Sequence, residues 1–167
     1  MVAAILFPRR AAGRDVRHVL RGSMLRPMPY FKDADDVYAN LGFFMRQLLV
    51  DPEMTPALKR ADTTFQLRMR QPDSTLTIRT PSEEQPAQVD LGETTLQPEV
   101  VLALDADVAH RFWLGQINVA VALARGDIRA RGPVAKILKI VPLVKPGFTR
   151  YRTQLEAAGR EDLLQPS

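Results

Sequence analysis

Cysteine is absent from the chain, which rules out disulfides, thiolate metal sites and a cysteine nucleophile and fits a reducing compartment. Histidine is nearly absent. His18 lies in a basic N-terminal arm, and His110 has no second histidine at ligand spacing, so a histidine metal cluster has no source. The four serines include no G-x-S-x-G elbow, and the nine glycines form neither a dinucleotide fingerprint nor a phosphate loop. Long apolar runs are missing too: Val2–Phe7 is six residues, where a bilayer span needs about 20. Its arginines follow rather than precede it, the reverse of a secretory signal. Basic residues of the body are not interleaved with aromatics, which disfavours nucleic acid as a partner.

Catalytic pairs are equally scarce. Asp35/Asp36 and Glu83/Glu84 sit in polar surroundings, so raised carboxyl pKa values are not expected. His110 is expected to be exposed on its helix or bonded locally, with Asp107 a weak partner for general-base work. The expectation is a protein that is not an enzyme and holds no metal and no cofactor. Val2–Phe7 is not expected to be a secretory signal or a span, and the expected location is the cytoplasm.

What is present reads as one globular domain. Hydrophobic residues make up 46% and charged residues 25% of 167, ordinary values for a single core. The net charge of +4 is unevenly spread. Residues 1–26 hold six arginines against Asp15 alone, which leaves the remainder close to neutral. The domain reading is a basic, disordered extension over 1–28, a folded domain over 29–148 and a polar tail over 149–167 with room for one more helical stretch. For the extension, a start assigned upstream of Met24 or Met28 is an alternative. A third reading has its arginines attract anionic lipid head groups beside the apolar toe-hold of Val2–Phe7.

Asp33, Asp35 and Asp36 give a negative start to a helix running to about Val50, with Val37, Leu41, Phe44, Met45, Leu48 and Leu49 on one stripe. Gly42 in mid-helix implies a close approach by another element. A short helix over 55–59 follows. Phe65, Leu67 and Met69, then Leu76 and Ile78, alternate with polar residues around the turn Gln71-Pro72-Asp73-Ser74, a hairpin pattern. Gln88–Leu91 is a third strand. Val100 to Leu104 is a fourth, apolar on both faces and expected to be central and covered on both sides.

From Leu104 to Gly132 the chain reads LDADVAHRFWLGQINVAVALARGDIRARG. Asp105 and Asp107 are N-cap candidates for a helix bearing Val108, Phe112 and Trp113. Gly115 and Gly126 can each take the left-handed conformation that ends a helix. The helix between them, VAVALA at 119–124, is apolar all round and is expected to be covered or to face an apolar ligand. Ile128 and Ala130 alternate with Arg129 and Arg131 in a fifth strand. Gly132-Pro133 opens a last helix whose stripe is Val134, Ile137, Leu138 and Val141, broken by Pro142 and Pro146. It is either a lid or a docked core helix.

The pattern Gly115-x-Ile117-Asn118-x-x-x-Ala122-Leu123-x-x-Gly126-x-Ile128-x-Ala130-x-Gly132 resembles the signature of the sterol carrier protein type two family of lipid-transfer domains, over roughly residues 35–145. It departs from the family at Val119, where proline is common, and at Pro133, where a polar residue is common. The fold expected is α+β: a mainly antiparallel five-stranded sheet with helices packed on one face. The resemblance implies an apolar tunnel between them that holds a lipid such as a sterol, fatty acid or acyl-CoA, without chemistry. Its lining is assigned to Phe44, Leu48, Phe65, Leu67, Leu102, Phe112, Trp113, Ile117, Val121, Ile137 and Val141. Partners expected are that lipid, an anionic membrane touched through the N-terminal arginines, and a partner enzyme if the domain instead presents an isoprenoid or other lipid-like substrate to one.

Overall fold

The first helix begins where the acids cluster. In the computed structural model, which describes residues 28–166, Asp33 caps α1 (Ala34–Val37) by accepting a bond from the Asp36 N–H. A π-helical turn, Tyr38–Gly42, leads straight into α2 (Phe43–Val50). The close approach implied by Gly42 is met here: a Cβ on it would stand 2.7 Å from Leu91. After α3 (Thr55–Ala61) come β1 (Thr64–Arg70), β2 (Ser74–Arg79) and β3 (Gln88–Leu91). Then follow β4 (Val100–Asp105), α4 (Ala106–Trp113), α5 (Val119–Arg125) and β5 (Ile128–Arg131). The chain continues through α6 (Val134–Ile140), a 3₁₀ turn Val141–Val144, α7 (Pro146–Ala157) and a second 3₁₀ turn, Glu161–Leu164.

The five strands form one sheet in the order β3-β2-β1-β4-β5. The expectation of a mainly antiparallel sheet is corrected: the sheet is mixed, because β1 and β4 run parallel down its centre. The cause is the link over 92–99. Strand β3 already runs in the direction of β1, and eight residues span up to about 27 Å, enough for the ~14 Å of three strand spacings. The link therefore carries the chain back past β2 and β1, and it enters β4 at the free edge of β1 in the same direction as β3.

One face of the sheet carries Leu67, Met69, Leu76, Ile78, Val100, Leu102, Leu104 and Ile128, all buried. The other carries Gln66, whose amide donates to the Thr77 hydroxyl at 2.9 Å, and a row in which Arg68 and Arg129 flank Ala103. That row corrects a second expectation. Strand β4 is central, but Ala103 is exposed and Val101 only half-buried, because solvated arginines rather than a helix flank Ala103.

The C-terminal segment also differs. Instead of a polar tail over 149–167, α7 begins at Pro146 and buries Tyr151 and Leu155, and the final turn buries Leu163. Tyr151 and Leu155 stand among polar residues and only the pair Leu163-Leu164 follows, so the segment reads as a tail although all three buried side chains dock in the core. The extension assigned to 1–28 falls almost wholly outside the described residues. Among the described residues, no helix is long and apolar enough to cross a membrane.

Candidate functional site

The amphipathic elements do not close completely over the sheet. Between them lies a cavity of about 100 Å³. Its floor is Phe65, Leu67, Ile78, Leu102, Leu104 and Ile128 from the strands. Its walls are Met45, Leu48 and Leu49 of α2, Leu58 of α3, and Val108, Ala109, Phe112 and Trp113 of α4. Val119 of α5, Ile137 and Ile140 of α6, and Val141 and Val144 of the turn close it. Every lining side chain is apolar. A void of this size left empty costs about 2.4 kcal/mol at ~24 cal/mol per Å³, and without polar partners it does not hold water well.

Leu48, Phe65, Leu67, Leu102, Phe112, Trp113, Ile137 and Val141 of the lining expected from sequence are brought together here. Three others are not. Phe44 lies behind the wall, its ring 4.8 Å from Trp113 and 4.9 Å from Tyr151. Ile117 is half-buried against the core beside Asn118, the N-cap of α5. Val121 points outward, because α5 buries only Val119 and Ala122 and leaves Ala120, Val121 and Ala124 exposed. The helix expected to be covered on most of its circumference, or to face an apolar ligand, is thus open on its outer side. Ile140 and Val144 were missed, although they continue the stripe of Ile137 and Val141 at helical spacing. Val108 and Ala109 lie one turn and three residues before Phe112 and were legible in the same way.

Trp113 belongs to both core and cavity. Its indole meets Phe44, Phe112 and Phe148 edge-on, at 4.8, 4.9 and 6.1 Å. Gly147 lies against it: a Cβ there would stand 3.0 Å from the indole and 3.2 Å from Leu48.

His110 corrects another expectation. It is fully buried, not exposed or locally bonded, and its partners lie far along the chain. Nε2 donates to the Leu163 carbonyl at 2.8 Å, and Nδ1 accepts from the Tyr151 hydroxyl at 2.9 Å. The carbonyl can only accept, which fixes the tautomer. Burial, chiefly, pushes the imidazole down to about 4 and the Tyr151 phenol well above its ordinary value. Both ring nitrogens are occupied, and His110 is not among the side chains that line the cavity. Asp107 accepts from the Tyr30 N–H at 3.0 Å, and partial burial raises its carboxyl. Among the described residues, no group of three or more His, Asp or Glu is placed to hold a metal ion.

The arrangement of a five-stranded mixed sheet with its helices is shared with solved structures. The sterol carrier protein domain 2 of Helicoverpa armigera is similar to this chain with a TM-score of 0.52 at 17% identity, covering 77% of this chain and 96% of its own. UbiJ-SCP2, a ubiquinone synthesis protein, is similar with a TM-score of 0.50 at 16% identity, covering 65% and 90%. The chain therefore has the fold of the sterol carrier protein 2 domains. A sec-alkylsulfatase from Pseudomonas sp. matches 53% of this chain with a TM-score of 0.47. This chain spans only 14% of that enzyme's length, and the likeness carries nothing about chemistry. No family model matches the chain, and no curated protein matches it in sequence.

Proposed function

We propose that the chain binds a long-chain apolar molecule, such as a sterol, fatty acid or acyl-CoA, in the cavity and shields it from water for transfer. No bond is made or broken. The observation that carries this reading is a cavity lined throughout by apolar side chains, in the place between sheet and helices where the sterol carrier resemblance implies a tunnel. Each buried CH₂ is worth ~0.8 kcal/mol, so a long chain binds usefully without a polar anchor and with little head-group selectivity.

The cavity of about 100 Å³ is smaller than the ~300–1,000 Å³ of pockets that hold drug-sized ligands. Loading therefore requires a wall to yield. The candidate is α6 with its 3₁₀ turn, seven helical residues between Pro133 and Pro142, held by Lys136 to Glu99 at 2.7 Å. This is the lid reading of that helix.

Native mass spectrometry of the purified chain is expected to find a co-purified lipid, and a fluorescent fatty acid is expected to bind saturably. Failure of both overturns the reading. A second reading is supported by the likeness to UbiJ-SCP2: the domain presents an isoprenoid or similar substrate to a partner enzyme. A co-purified isoprenoid, released only when that enzyme is added, favours it.

A further inference from the structure

The wall formed by α6 and its turn has an unusual outer surface. Ile137, Ile140, Val141 and Val144 face the cavity, yet Leu138 and Leu143 in the same segment are 40% and 37% exposed. Lys139 and Lys145 accompany them on the outside. Neither lysine has an ion pair or side-chain hydrogen bond among the described residues.

Along the sequence, the charge of this segment and its flanks is of one sign. From Ile128 to Leu155 the sequence holds seven Lys and Arg and no Asp or Glu. Lys136 is paired with Glu99, Arg150 with Asp51 and Glu53, and Arg152 donates to the Leu114 carbonyl. Lys139 and Lys145 are left unpaired on the segment. The comparable apolar exposure at Val50 differs, since Asp51 and Glu53 follow it directly.

We propose that the outer face of residues 134–145, with Leu138 and Leu143 beside Lys139 and Lys145, docks on an anionic lipid bilayer, so that a lipid passes between bilayer and cavity without crossing water. The inference rests on the lipid-carrier reading above. Two leucines entering the acyl boundary beside lysines that keep their ammonium groups among the head groups is the arrangement of interfacial segments. The sign of the charge selects anionic lipid. A segment that is at once cavity wall and membrane contact also places the yielding wall where the lipid is.

The test uses the full chain and two double variants, Leu138→Asn with Leu143→Asn and Lys139→Gln with Lys145→Gln. Each is floated with phosphatidylcholine vesicles with and without phosphatidylserine. Transfer of a dansyl fatty acid from protein to vesicles is followed as vesicle concentration rises. The wild type is expected to float only with the anionic vesicles and to transfer faster as they are added. The lysine variant is expected to bind them roughly thirty-fold more weakly, at about 1 kcal/mol per lysine. The leucine variant should lose the concentration dependence of transfer.

Both variants keep the N-terminal arginines, so flotation and transfer unchanged in both overturn the proposal. So does a wild type that ignores anionic vesicles. A dimer by light scattering that the variants dissociate, with flotation unchanged, overturns it in favour of a contact between copies. Dansyl fatty acid binding without vesicles separates the two inferences. It should be unaltered in both variants, and its absence in the wild type sinks the carrier reading while flotation still reads the docking.

Discussion

His110 acts through the proton it does not carry. Its Nε2 proton is committed to the Leu163 carbonyl and its Nδ1 lone pair to Tyr151. A second proton would reverse the tyrosine bond, leaving the phenol hydrogen without its acceptor, and place a charge in a fully buried site. The folded imidazole is held down at about 4 against an ordinary 6.5. Between those values the unfolded chain binds a proton that the native chain does not, so stability falls as pH drops from about 6.5 to 4 and levels off below. The whole effect is about 3 kcal/mol. His110→Gln keeps one donor and one acceptor and removes the titration. Denaturant unfolding at a series of pH values is therefore expected to show a shallower acid slope in the variant than in the wild type, and equal slopes would show that His110 is not the titrating group. Glycine makes a second case at this scale. Gly132 has φ +92°, and a Cβ there would stand 2.0 Å from the Glu99 carbonyl oxygen, whereas Gly126 has φ +81° with open space around it. Gly126→Ala should cost about 1–2 kcal/mol for the backbone alone. Gly132→Ala should cost about 3 kcal/mol or more, since backbone must also shift. Thermal melts of the pair check the order.

Among the elements, those with a short period were legible and those joined by distant contacts were not. The alternation of β1, β2 and β5 and the stripe of α2 are local properties, and their positions in the structure agree with the sequence to within a residue or two. The parallel pairing of β1 with β4 is set by a crossover of two intervening strands, which no local pattern encodes. For the same reason the cavity side of α4, the side bearing Val108, Phe112 and Trp113, could be read, while the burial of His110 could not. Its partners are 41 and 53 residues away. In α7, Tyr151 and Leu155 are one turn apart among Arg150, Arg152, Thr153, Gln154 and Glu156, a pattern too sparse to signal a core helix. The structure gives it that role through Tyr151 on Phe44 and His110, at 4.9 and 5.6 Å between ring centroids. Leu155→Ala is expected to cost about 2–5 kcal/mol. A chain ended at residue 148 should lose cooperative unfolding, because it leaves His110 without either partner. A truncated chain that melts as the full one does would return this segment to the status of a tail.

At the scale of the whole molecule, the cavity sets stability against use. A protein selected only for stability would fill a void of about 100 Å³, since closing it is worth about 2 kcal/mol. Ala109 offers the means. It is buried on α4, lines the cavity, and lies between Val108 and Phe112 without itself touching the polar network of its neighbour His110. Ala109→Leu sends an isobutyl group into space that is already there and already apolar. The expectation is a raised thermal midpoint together with a long-chain ligand affinity lowered at least about tenfold, the stability–function exchange typical of binding sites. Ala109→Val is the intermediate step and guards against overpacking, which by itself costs ~1–3 kcal/mol. Trp113 supplies the readout, because its indole lines the cavity while stacking edge-on against Phe44. Its emission should shift as a fatty acid enters the wild type, shift less in Ala109→Val, and stay flat in Ala109→Leu. A variant that is stabilised yet binds with undiminished affinity would show that the ligand sits elsewhere and that the void is only a packing fault. Trp113→Ala at the same wall should instead lose about 3–5 kcal/mol, since the indole also supports Phe44, Phe112 and Phe148.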